Sequence, residues 1–176
     1  HAHLYDEKFD DDRIDVIARA REAGVAKIIS MGDTMAASAQ VVQDAEEHPA
    51  LYAAVGIHPE SACVLTDEMR CQLLTWAQHP KVVAIGEIGL DYYWEKDASR
   101  RALQRDLFAA QLDLAREAGL PVCIHDREAH GDTLAMLRSE GAGLTGVLHC
   151  YSGSLEMARE LWKMGWCIGI DGPLTY

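Results

Sequence analysis

The stretch Arg116-Glu117-Ala118-Gly119-Leu120-Pro121-Val122-Cys123-Ile124-His125 decides the fold. A charged segment with helical character closes on a glycine, and a short apolar run then ends on a histidine. Glycine suits the left-handed residue that stops a helix, because it has no Cβ to clash. Arg116 in the last turn suits the negative end of the helix dipole. The pattern recurs along the chain. Arg21-Glu22-Ala23-Gly24 leads into Val25–Met31, and Lys163-Met164-Gly165 leads into Trp166–Ile170.

Working outward, the apolar runs predict strands at Ala26–Met31, Leu51–Ile57, Val82–Glu87, Pro121–His125, Gly146–His149 and Trp166–Ile170. Their near-continuous apolar character is that of a parallel sheet covered on both faces. Helical periodicity fills the gaps at Asp11–Ala23, Met35–Glu47, Asp67–Gln78, Arg100–Ala118, Gly131–Ser139 and Leu155–Met164. Thr66 and Ser154 stand as N-caps. Leu103, Leu107, Ala110, Leu114 and Ala118 make an apolar stripe. Strand–helix alternation means an α/β fold. Polar residues gather at the strand C-termini, which favours a TIM-type (β/α)8 barrel over an open doubly wound sheet.

Six strands and a stub, His1-Ala2-His3, fall short of a full barrel, which takes roughly 250 residues. The expectation is one partial barrel domain over residues 1–176, with its first strand mostly missing and its last strand–helix unit absent, drawn from a longer protein. If the chain ended here, its sheet would have two open edges, with weak stability or rescue by pairing between chains, and an impaired first metal site.

The formal charge is −12, and no block of lysine and arginine is present. A surface grip on nucleic acid normally needs a basic face, so a polyanionic substrate would require cations in the site. The five cysteines show no C-x-x-C pair and no framework spacing. They read as thiols of a reducing, cytoplasmic setting, with Cys123 and Cys167 buried in apolar runs. No run approaches the ~20 apolar residues of a membrane span, and neither a membrane nor an obligate protein partner is expected.

The candidate site follows from the strand ends. His1 and His3, two residues apart, face the same side of an extended stub. Glu87 ends an apolar run between two glycines, where a buried carboxylate needs a cation or an arginine. His125 and His149 end two later runs. A histidine–carboxylate set of this kind suits zinc, manganese or nickel. His58, Asp91, Tyr92 and Arg127 follow the same strand ends. Arg127 is suited either to a phosphate oxygen or to a loop salt bridge with Asp126 or Glu128.

Six stretches together carry a family resemblance: His1-Ala2-His3-Leu4, Gly56-Ile57-His58-Pro59, Gly86-Glu87-Ile88-Gly89-Leu90-Asp91-Tyr92-Tyr93, Pro121–Ala129, His149-Cys150-Tyr151-Ser152-Gly153 and Gly169-Ile170-Asp171-Gly172-Pro173. In this order they resemble the TatD-related deoxyribonucleases, metal-dependent hydrolases of the amidohydrolase-like barrel superfamily. The resemblance implies two divalent ions (Mg, Mn, Zn or Ni). His1, His3 and Glu87 would hold one, Glu87, His125 and His149 the other, with Glu87 bridging. It also implies a Thr-Asp-Ser-Pro aspartate beyond Tyr176, for which Asp171 is no substitute. The expected activity is exonucleolytic hydrolysis of single-stranded or 3′-end DNA. Glu87, His58, Arg127 and Asp91 are the catalytic candidates, with His58 and Arg127 on the phosphate. The alternatives are an esterase or deacylase acting on aminoacyl-tRNA, and a non-catalytic degenerate barrel.

Overall fold

The computed structural model describes residues 1–175. Among them six strands form one parallel sheet in chain order: β1 (Ile28–Met31), β2 (Leu51–Val55), β3 (Val82–Asp91), β4 (Val122–Arg127), β5 (Gly146–Leu148) and β6 (Cys167–Ile168). The intervening helices are α1 (Arg13–Glu22), α2 (Met35–Glu47), α3 (Asp67–Ala77), α4 (Ala98–Ala118), α5 (His130–Ser139) and α6 (Leu155–Lys163). This is the strand–helix order of a TIM barrel, left unclosed among the described residues. The stub docks beside β1, where Ala2 pairs in parallel with Ser30.

Local chemistry sets the helix ends. Thr34, Thr66, Asp97 and Ser154 accept hydrogen bonds from backbone N–H groups of the first turns of α2, α3, α4 and α6, which satisfies donors that a helix start leaves free. Gly119 closes α4 in the left-handed conformation, at φ 68°. The helices cover one face of the sheet. The core between the two layers includes Leu51, Leu73, Ile85, Ile88, Phe108, Leu112, Ile124 and Leu148, all fully buried. Burial of each such side chain contributes about 1.5–3 kcal/mol.

The other face of the sheet lines an open apolar cleft of roughly 600 Å³, walled by Ile29, Met31, Val122, Cys123, Val147 and Cys167. Two expectations therefore need correction. The sheet is not covered on both faces, and Cys167 is exposed while Cys123 is buried. Among the described residues β6 has a strand neighbour on one side only, so its thiol opens into the cleft.

Every strand differs from the sequence reading at one end or both, and two of these differences shape the site. The ladder of β2 stops at Val55 rather than Ile57, because Ser38 on α2 and Gln111 on α4 take over the hydrogen bonds of Gly56 and Ile57. Gln111 accepts from the Ile57 N–H (2.8 Å) and donates to the Ile57 carbonyl (3.0 Å). Strand β3 continues past Glu87 to Asp91. It does so with one extra residue: Ile85 pairs with Val122, and Ile88 with Ile124. Such a bulge re-aims the side chain it carries. Glycines permit the close approach. A Cβ at Gly86 would lie 2.8 Å from Cys123 Cβ, and one at Gly89 (φ 137°) would overlap the His125 carbonyl oxygen.

Candidate metal centre

Glu87 is the hub. Its side chain is almost wholly buried, and its two oxygens serve different partners. Oε2 lies 3.2 Å from His1 Nε2 and 3.2 Å from His3 Nε2. Oε1 lies 2.9 Å from His125 Nδ1, 2.5 Å from His149 Nε2 and 3.6 Å from His58 Nε2. Stub, β2 end, β3, β4 and β5 end thus bring five imidazoles to one carboxylate. Burial alone would push the Glu87 carboxyl upward. The neighbouring imidazoles of His125, His149, His3 and His58 outweigh it and hold the group well below the usual carboxylate range.

The donor set fits cations. A carboxylate offers about four lone-pair directions, and five ring nitrogens crowd them. His149 Nε2 is buried and close to Oε1, yet it lacks hydrogen-bond geometry there and has no partner. His125 Nε2 lies 3.0 Å from Asp91 Oδ2. If that nitrogen carries the proton of a neutral ring, the Nδ1 lone pair faces Glu87 Oε1, and two acceptors meet unless a cation or a second proton lies there. In the absence of metal, burial pulls the His125 imidazole down but Glu87 and Asp91 raise it overall. The Glu87 hydrogen bond likewise raises His3.

His58 differs. With Glu87 and His125 it sits close enough to share an ion. Its Nδ1, however, accepts the Glu60 N–H at 3.2 Å. The neutral ring then carries its proton on Nε2, which makes it a donor towards the cleft rather than a lone-pair ligand.

Asp91 is fully buried at the end of β3. Its backbone N–H donates to Gln104 on α4 (3.0 Å), and its Oδ1 accepts the Trp94 N–H (2.9 Å). It touches the cluster only through His125, as an outer carboxylate that orients the ring. Asp171 stands 3.9 Å from His149 Nδ1, on the side of the ring away from Glu87. Tyr92 does not reach the cluster. Its hydroxyl donates to Asp132 at 2.6 Å. Arg127 makes no ion pair with Asp126 or Glu128. Its guanidinium lies 4.0 Å from the Tyr93 ring centroid and 5.6 Å from that of Trp94.

A cleft of roughly 450 Å³ opens over the cluster, lined by His3, Asp33, His58, Glu87, His125 and His149 among others. Asp33 and Tyr5 join it although no motif marked them. The one available signal was that Gly32-Asp33 follows an apolar run as the histidines do. Cys123 Sγ lies 3.7 Å from His1 Nδ1. Burial, reinforced by the Glu87 charge, pushes this thiol up to about 12, which leaves it a neutral wall rather than a thiolate ligand.

A parallel α/β sheet with a carboxylate and histidines at its C-terminal edge is the architecture of a hydrolytic enzyme of the metal-dependent barrel type. The chain belongs to the TatD related DNase family, whose pattern matches residues 1–176. The metal-dependent hydrolase YabD of Bacillus subtilis is 40% identical over 177 residues, covering 100% of this chain and 69% of that protein. The 3′-5′ ssDNA/RNA exonuclease TatD of Cronobacter sakazakii is 39% identical over 166 residues, covering 94% of this chain and 62% of that protein. The crystal structure of YjjV, a TatD homologue from Escherichia coli K12, superposes with a TM-score of 0.91 at 35% identity, covering 100% of this chain and 68% of that one. The chain thus spans roughly two thirds of the length of these relatives.

Proposed function

We propose that residues 1–176 act as one partial barrel domain of a hydrolase that trims single-stranded DNA from its 3′ end. Two divalent cations (Mg, Mn, Zn or Ni) would be held by His1, His3 and Glu87 and by Glu87, His125 and His149. The observation that carries this reading is the division of the Glu87 carboxylate, with Oε2 turned to one histidine pair and Oε1 to the other. Bound there, divalent cations supply acidified water and charge neutralisation on a phosphodiester.

The chain's own residues do the rest. Glu87 stays ionised despite its burial because imidazoles surround it. Asp91 holds the His125 ring in one orientation. His58 lines the cleft, where its Nε2–H would donate to a phosphate oxygen. The net charge of −12 leaves the attraction of a polyanion to the site itself. The name of the Cronobacter relative, a 3′-5′ ssDNA/RNA exonuclease, supports a single-stranded nucleic acid as substrate. A cytoplasmic setting fits the five free thiols. Among the described residues no helix is long and apolar enough to cross a membrane. No obligate protein partner is proposed.

The test is cleavage of single-stranded DNA labelled at either end. The expected products shorten from the 3′ end, disappear with EDTA, return with Mg, Mn or Zn, and are absent in Glu87→Ala. Cleavage that persists in Glu87→Ala would overturn the reading. Hydrolysis of an aminoacyl-tRNA ester without DNA cleavage would move the same site to the deacylase alternative.

A further inference from the structure

The turn after β3 exposes two aromatic rings next to the site. Trp94 is 62% exposed and Tyr93 44%. Their centroids are 4.8 Å apart and the rings nearly perpendicular. Isolated exposed aromatics are ordinary on protein surfaces, and Trp162 on α6 is one. Trp94 is different because it is tied to the cluster. Its backbone N–H donates to Asp91 Oδ1, and the other oxygen of that carboxylate holds His125. Two hydrogen bonds through one buried carboxylate therefore link the indole's backbone to a candidate ligand ring.

Arg127 completes the arrangement. It lies two residues beyond His125 on β4, so the two side chains share a face of the strand. Its guanidinium stacks on Tyr93 and, among the described residues, forms no ion pair. Lys96 Nζ also lies 5.6 Å from the Tyr93 centroid. Tyr93 is thereby engaged by cations, while Trp94 keeps a larger free surface.

We infer that Trp94, backed by Tyr93 and Arg127, is a stacking subsite for one base of a single-stranded nucleic acid whose phosphodiester lies at the Glu87 cluster. The inference rests on the nuclease reading above and names how the substrate is gripped. An acidic chain gains little from a general phosphate grip. A base offers a π-face that an indole binds without regard to charge or sequence. The neighbouring Arg127 offers its fork of donors to an adjoining phosphate.

The experiment is a cycle between the enzyme and its substrate. Steady-state cleavage of a ten-nucleotide oligothymidylate is compared with that of the same oligonucleotide carrying one abasic nucleotide, moved stepwise from the 3′ end. Trp94→Ala is expected to lower kcat/KM on the intact strand by roughly tenfold, with the loss in KM. Trp94→Phe, which keeps a π-face, should recover most of it. At one abasic position the wild type should fall to the level of Trp94→Ala, and the variant should lose nothing further. Equal loss in Trp94→Ala at every abasic position, or unchanged kcat/KM on the intact strand, would overturn the inference while leaving the nuclease reading in place. A wild type that leaves the intact strand uncut with every cation overturns both.

Discussion

Two of the clefts are built from the same strands and differ in every respect that matters to chemistry. The larger, roughly 600 Å³, runs along the open sheet face and is walled by Ile29, Met31, Val122 and Val147. The smaller, roughly 450 Å³, sits over the strand tips and gathers His3, His58, Glu87, His125 and His149. His149 borders both. Volume therefore does not mark the site. What marks it is buried polar chemistry with too many donors and acceptors for its own hydrogen bonds, a condition the apolar wall never meets. The apolar stretches of the strands supply shape, and the β3 bulge that carries Glu87, with the C-terminal parts of its neighbours, supplies reactivity.

That contrast can be broken or sharpened by substitution. The largest effect is expected from Glu87→Ala, which should abolish cation binding in calorimetry together with nuclease activity. Retained binding would mean that the tips do not form one site. Met31→Ala, in the apolar wall, should instead cost about 2–5 kcal/mol of stability in denaturant unfolding. Asp91→Asn sits between the two behaviours. It should weaken cation affinity about 10- to 100-fold, and a titration matching wild type would show that the carboxylate does not position His125. The smallest effect is expected from Tyr92→Phe, at about 1 kcal/mol for a lost hydrogen bond.

Tyr92 also gives a signed pH dependence. Burial, then the hydrogen bond to Asp132, raises its phenol above the ordinary value of 10. The unfolded phenol ionises first, so its contribution is complete below pH 10 and is lost as pH rises through the folded value. Thermal melts of Tyr92→Phe should accordingly fall less steeply than wild type above pH 10.

Much of this was legible in the sequence because it depends on neighbours in the chain. Gly119 after Arg116 announces the end of α4, and Val122-Cys123-Ile124 announces β4, although the strand runs two residues past His125 to Arg127. What sequence could not give depends on partners far away. Cys167 resembles Cys123 in its run, yet only the sheet order makes it exposed. His58 resembles the other histidines, and only the Glu60 N–H reveals that its proton faces the cleft. Gln104 and Gln111 fell beside the apolar stripe of α4 as ordinary polar residues, although both are buried and latch onto strand ends.

Those two amides make α4 a gauge. Seven residues separate them, two helical turns or roughly 10.5 Å of axis. One latches the tip of β2 at Ile57, one position before His58, and the other latches the tip of β3 at Asp91. A single rigid rod thus spaces two rims of the mouth from behind. One residue inserted between the latches would swing one amide by about 100° around the rod, unhooking a rim while every histidine remained in place.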